Sequence, residues 1–203
     1  MTVWTAVMGA VAGAGGAVML RRIPRGVRIP VPACAMLVSA LWALVGARLS
    51  AQLPLWWCPV PLVLAWGGVL LSGADLVARR LPDALTKSAY PLVAGMLGIA
   101  AGSAGNADLL VRAGLGALLW AGGYVVVRLV SPGALGGGDV KLAASLGALT
   151  AATSWSGLLL AVLVAGVLTA VVAVPVRMVG HREVPHGPAM LAAAWVVVLH
   201  TPV

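Results

Sequence analysis

Long apolar runs alternate with short polar breaks along almost the whole chain. Eight such runs can be read, at about residues 2–20, 30–47, 58–75, 89–105, 109–130, 140–153, 156–176 and 187–200. A helix needs about 20 apolar residues to cross the ~30 Å hydrocarbon layer of a bilayer, and most of these runs come close to that. They are continuous and rich in Ala, Leu, Val and Gly, without the in–out alternation that a membrane β-barrel requires. A segment in lipid must satisfy its backbone polar groups internally, so the pattern predicts an all-α polytopic transmembrane bundle of about eight helices. The runs at 140–153 and 187–200 are short for a full span and are expected to tilt against neighbours or to extend at their ends. RRIPRGVRIPVP and AQLPLWWCPVP break the first three runs apart, because clustered prolines stop helices.

Composition sharpens this picture. The chain is 62% hydrophobic and 9% charged, with a mean hydropathy of +1.06, too apolar for a water-soluble domain of 203 residues. The net charge of +8 does not point to nucleic acid, since the basic residues sit in short breaks and form no stripe interleaved with aromatics. They act instead as a topology signal. With the N-terminus outside, every Lys and Arg except Arg48 and Arg112 falls at a cytoplasmic loop or helix end, Arg25, Arg80, Arg177 and Arg182 included. Trp4, Trp56, Trp57 and Trp155 then fall near the outer interface, as an aromatic belt would. The first run is followed, not preceded, by Arg21 and Arg22, which favours a retained helix over a cleaved signal peptide. Cys34 and Cys58 are expected near opposite membrane faces, so they predict neither a disulfide nor, without a CxxC pair, a zinc site. Gly9 with Gly13 and Gly98 with Gly102 have the small-xxx-small spacing of close helix packing.

The chain has only five acids: Asp75, Asp83, Asp108, Asp139 and Glu183. Asp108 and Glu183 are read as solvated. Asp75 ends an apolar run and leads into Arg79-Arg80-Leu81-Pro82-Asp83. Asp139 follows three glycines, Gly136, Gly137 and Gly138, and precedes Val140-Lys141-Leu142. A carboxylate at the membrane edge costs free energy and usually has a partner or a task. Taken singly, Asp139 could be a helix cap and Asp75 a loop residue. Together, two acids delivered to one face can share a proton, one acting as base and the other as acid. Asp83, after Pro82 at a helix start, is favoured there by the helix dipole and is the nearest decoy. Lys141 is expected either to hold Asp139 ionised, to contact substrate or to anchor topology.

This arrangement resembles the prepilin peptidases, also called type IV leader peptidases, membrane aspartic peptidases with a GxGD motif. The resemblance rests on Asp75 with RRLPD after it, on GGGDVKL around Asp139, and on Val184-Pro185-His186-Gly187-Pro188 before the last run. It covers roughly residues 58–200. It implies a six-helix peptidase core over 58–203, preceded by a two-helix membrane extension over 1–57. It implies Asp75 and Asp139 as the catalytic pair, with Gly136, Gly137, Gly138, Lys141, Pro82, Asp83, Pro185, Gly187 and Pro188 as supporting motif residues. His186 departs from the family's usual aromatic or aliphatic residue and is read as a tolerated loop substitution. Larger members carry two CxxC pairs in a cytoplasmic domain associated with N-methylation; here the corresponding loop is only RRIPRGVR.

The expected function is therefore a multi-pass inner-membrane endopeptidase with its active site facing the cytoplasm. Its partners would be prepilin-like single-span proteins and the lipid bilayer, with no nucleic acid. The mechanism asks for no metal and no organic cofactor, and no methyl transfer is expected. A proton-coupled small transporter, which predicts acids near mid-bilayer, and a non-catalytic component of a pilus or secretion machine are the alternatives.

Overall fold

The computed structural model describes residues 1–24, 26–79, 81–132, 135–178 and 185–200, with the backbone alone at 175–178. The sequence readings of Arg25, Arg80, Arg182, Glu183 and Val184, and of the Arg177 side chain, concern positions outside what is described.

Eight helices follow one another among the described residues: α1 (Thr2–Leu20), α2 (Val31–Ala51), α3 (Pro59–Ala78), α4 (Asp83–Ala104), α5 (Asp108–Val130), α6 (Gly137–Thr153), α7 (Trp155–Met178) and α8 (Gly187–Val198). Five of them, α1 to α5, and the stretch Trp155–Val174 of α7 are long and apolar enough to cross a membrane. This is a multi-pass helical membrane protein. The two short helices are the ones the apolar pattern flagged. At 17 residues α6 is about 25 Å long, and at 12 residues α8 is about 18 Å long. Neither is bordered mainly by lipid. From Leu142 to Thr153 most of α6 is buried, packed against α4, α5, α7 and α8.

Small residues let these backbones meet. A methyl group on Gly116 of α5 would stand 2.5 Å from the Gly147 carbonyl oxygen of α6, so only glycine fits at that crossing. Gly9 and Gly13 likewise seat α1 against Ser39 and Cys34 of α2, as their spacing predicts. Gly98 and Gly102 do not fit that expectation. Nothing lies within 4 Å of where their side chains would be, and α4 meets its neighbours through Val93, Leu97, Ala100 and Ala101 instead.

Indole N–H groups stitch the far end of the bundle. Trp195 of α8 donates to the Pro61 carbonyl of α3 at 2.9 Å, and Trp57 donates to the Val198 carbonyl at 2.9 Å. Val198 closes α8, so its carbonyl lacks an intrahelical partner and accepts this bond. Trp57 is wholly buried and so belongs to the core and not to an aromatic belt. Trp4 and Trp155 remain exposed near that same end. Cys34 and Cys58 are both free and buried. They lie at opposite ends of the bundle, one near the start of α2 and the other capping the start of α3.

The up–down order sorts the helix ends into two groups. The ends of α1, α3, α5 and α7 meet the starts of α2, α4, α6 and α8. Asp75, Asp83, Asp139 and most of the described Lys and Arg gather there. Arg48 and Arg112 stand at the other end, donating to the carbonyls of Leu199 and Ala152. The charge asymmetry read from the sequence is thus an asymmetry of the folded bundle.

Candidate active site

Asp75 occupies the last turn of α3. Leu64, Gly68, Leu71 and Asp75 recur at alternating four- and three-residue steps and are all buried, so the carboxylate continues the inward stripe of its helix. It is 7% exposed. The helix closes just beyond it. Arg79 turns left-handed, with φ 49 and ψ 38, and its N–H donates to the Asp75 carbonyl at 2.8 Å. The carboxylate is therefore held one turn inside the helix end, deeper than a loop position would leave it.

Asp139 occupies the first turn of α6 and is half-buried. Its Oδ2 accepts the Gly136 N–H at 3.1 Å, the carboxylate half of a capping box with a glycine at the cap. The remaining glycines of the motif make room for neighbours. A methyl group on Gly137 would meet the Arg128 guanidinium at 2.6 Å, and one on Gly138 would press on Leu81 at 3.2 Å. The motif thus lets the end of α5 and the α3–α4 connection close around the start of α6.

The two acids meet over a fourth glycine. A methyl group on Gly187, the first residue of α8, would lie 2.9 Å from Asp75 Oδ2 and 3.8 Å from Asp139 Oδ1. The two carboxylate oxygens are therefore no farther apart than the sum of those short distances. Asp75 Oδ2 is buried and has no hydrogen-bond partner among the described residues. Pro188 follows at the second position of α8, where its fixed φ suits a helix start and its missing N–H costs nothing. Pro185 lies just before, half-buried.

Asp83 and Lys141 form a separate pair. Pro82 caps α4 and Asp83 opens it. Lys141 Nζ donates to Asp83 Oδ1 at 2.8 Å, and Lys87 approaches Asp83 Oδ2 at 3.4 Å. The expectation that Lys141 holds Asp139 ionised is thus corrected. On α6, Lys141 sits two positions past Asp139, so its side chain leaves on another face, toward α4. The Tyr90 hydroxyl also donates to the Lys141 carbonyl at 3.0 Å, tying α4 to α6.

One cluster escaped the sequence reading. His186 caps the start of α8 and reaches two other helices. Its Nε2 is 2.6 Å from the Tyr124 hydroxyl of α5, and its Nδ1 is 2.5 Å from the Thr169 hydroxyl of α7. Burial pushes the imidazole below its usual range, because desolvation disfavours the cation. The available signal was a polar Tyr and a polar Thr inside otherwise apolar runs. A cavity of about 470 Å³ opens between α2, α3 and α8. Its lining is apolar and ends at Leu76, Val77 and Pro188, the chain neighbours of Asp75 and Gly187.

Residues 62–174 match the model of the type IV leader peptidase family. The chain belongs to this family. Among its relatives is the prepilin leader peptidase/N-methyltransferase of Aeromonas hydrophila, 30% identical over 188 residues, 89% of this chain and 63% of the relative. The protein of the same name from Aeromonas salmonicida (strain A449) is 29% identical over 183 residues, 86% of this chain and 61% of the relative. This leader peptidase family member thus spans a little under two thirds of the length of those relatives. No solved structure matches it significantly. Both Asp75 and Asp139 fall inside the matched region, whereas Gly187 and its helix lie beyond it.

Proposed function

We propose that this protein is a membrane aspartic endopeptidase that removes the short basic leader of prepilin-like single-span proteins. Cleavage takes place at the cytoplasmic face of the inner membrane. The observation that carries this reading is the convergence of Asp75 and Asp139 on Gly187. Two carboxylates held this close, one buried and one half-buried, are best satisfied by sharing one proton. The ionised member takes a proton from a water molecule, and the resulting hydroxide attacks the scissile carbonyl carbon. The protonated member donates a hydrogen bond to the carbonyl oxygen as negative charge develops there. The tetrahedral intermediate then breaks its C–N bond, and the departing amine takes up a proton from the pair. Asp75 Oδ2, buried with no partner from the described residues, is free to hold the shared proton or to meet the water. Neither acid is assigned the base role, because a coupled pair titrates as a unit.

The apolar cavity supports a position for the substrate. A leader is cut where the chain enters its hydrophobic segment, so that segment must lie beside the pair. Lining residues on α3 run from Leu64 to Val77, a length of about 20 Å, or most of an apolar helix. The basic residues at the dyad end support a cytoplasmic active site. Acids gathered at one end of the bundle disfavour a transporter, whose acids would lie near its middle. The peptidase half of the relatives' name is carried over here and the N-methyltransferase half is not. The loop RRIPRGVR is short, and the two cysteines are single and buried.

The test is co-expression with a candidate prepilin-like substrate, with and without Asp139→Asn. Shortening of the substrate by the wild-type protein alone supports the reading. Equal cleavage by both would end it, and so would abolition by a chelator, since the mechanism uses carboxylates and water alone.

A further inference from the structure

We propose that His186 is a positioning residue for the carboxylate pair, clamping the start of α8 to α5 and α7 so that the Gly187 backbone stays seated between Asp75 and Asp139. The inference rests on the peptidase reading above and adds a part to that site. It also replaces the view of His186 as an indifferent loop substitution.

Hydrogen-bond accounting carries it. The Thr169 hydroxyl donates to the Ala165 carbonyl at 2.8 Å, an ordinary back-bond within α7. Its oxygen is then left to accept, so the proton on the His186 side of the 2.5 Å contact belongs to Nδ1. A neutral imidazole protonated at Nδ1 has a bare Nε2, which accepts from the Tyr124 hydroxyl at 2.6 Å. One tautomer thus satisfies every polar atom in a continuous chain: Tyr124 to His186, His186 to Thr169, Thr169 to the α7 backbone. Burial favours the same neutral form. The Tyr124 ring also tilts against the imidazole, with centroids 5.6 Å apart.

The position of the clamp gives it leverage. His186 is bonded directly to Gly187, the residue that touches both acids. The contacts from its side chain end on α5 and α7, while Asp75 and Asp139 belong to α3 and α6. The ring therefore references α8 to the half of the bundle that does not carry the acids. Side chains that fit no hydrogen bond at 186 would leave the half-buried Tyr124 hydroxyl without this partner and would free the helix start to shift. Shifts of about 1 Å between reacting groups can cost on the order of 100-fold in rate.

The experiment compares His186→Leu, His186→Gln and Tyr124→Phe in the full-length protein in detergent or liposomes. Cleavage of a prepilin-like reporter is measured per folded molecule, with kcat and KM separated. His186→Leu is expected to lower kcat by about 10- to 100-fold with KM within about twofold. His186→Gln, which keeps one donor and one acceptor, should recover to within about threefold of wild type. Tyr124→Phe should fall between them. A purely structural role predicts lower thermal stability with kcat per folded molecule unchanged, and that result overturns the proposal. Nitrogen NMR of the histidine side chain gives a readout independent of activity. A neutral ring protonated at Nδ1 is expected, and one protonated at Nε2 overturns the clamp as drawn. Failure of the peptidase reading looks different: wild type and Asp139→Asn would both leave the reporter intact.

Discussion

Lys141 is bonded to Asp83, at 2.8 Å, and not to Asp139 two residues before it on the same helix. The pair ties the start of α6 to the start of α4, and it separates the acids of this face into two kinds. Asp83 is ionised and neutralised by lysines. Asp75 and Asp139 face each other, and neither has a lysine or arginine within ion-pair distance among the described residues. A carboxylate facing another carboxylate can keep a proton, which is what an acid–base pair requires.

Neutralising either member of the facing pair should therefore abolish cleavage. Asp75→Asn and Asp139→Asn are each expected to reduce processing by at least about 10³-fold while the protein still inserts. Gel-shift assay of a co-expressed substrate, with membrane fractionation of the variant, checks both halves of the statement.

Asp83→Asn should behave differently. It removes a screened surface ion pair, whose contribution is small. Processing is expected to stay within about fivefold of wild type, and Lys141→Ala should give no additional loss when combined with it. A loss as deep as that of Asp139→Asn would move Asp83 into the catalytic group.

Gly187→Ala tests the meeting point. The added methyl would sit 2.9 Å from Asp75 Oδ2 and 3.8 Å from Asp139 Oδ1. The acids must part or α8 must retreat, and kcat is expected to fall by about 100-fold. Overpacking of this kind costs about 1–3 kcal/mol of stability. Gly98→Ala, where nothing lies within 4 Å, is the matched control and should leave both rate and melting temperature near wild type.

Filling the apolar groove should act on binding. Ala192 is exposed on its wall, so Ala192→Trp is expected to raise KM by about tenfold with kcat little changed. An unaltered KM would place the substrate's hydrophobic segment elsewhere.

Orientation has its own check. A reporter fused after Ala104 should read extracytoplasmic, and one fused after Ser131 cytoplasmic. The reverse pattern would put the acids on the outer face and remove leader processing from consideration.

The fold was legible because apolar runs in lipid leave only one backbone solution, and their number and order survive in the eight helices. Their boundaries were less so. The fourth run read as starting near 89, whereas α4 begins at Asp83. Lys87 and Ser88 interrupt the apolar pattern, but a helix end outside lipid carries polar residues freely, and Pro91 sits within it. Asp75 and Asp139 stood out because acids are rare here and each adjoins a turn signal. Partnerships across helices were not visible. No spacing in the sequence tells that Lys141 reaches Asp83, that Trp57 turns inward to Val198, or that His186 finds Tyr124 and Thr169, because each depends on which faces the packed helices present.

The two indole bonds at the far end of the bundle carry a mechanical consequence. Trp195 to Pro61 and Trp57 to Val198 fasten α8 to the beginning of α3, at the end opposite Asp75 and Gly187. With its start held by His186 to Tyr124 and Thr169, α8 is fastened at both ends, to α3 at one and to α5 and α7 at the other. The tryptophans farthest from the chemistry thus fix the far end of the helix whose first residue lies against both acids.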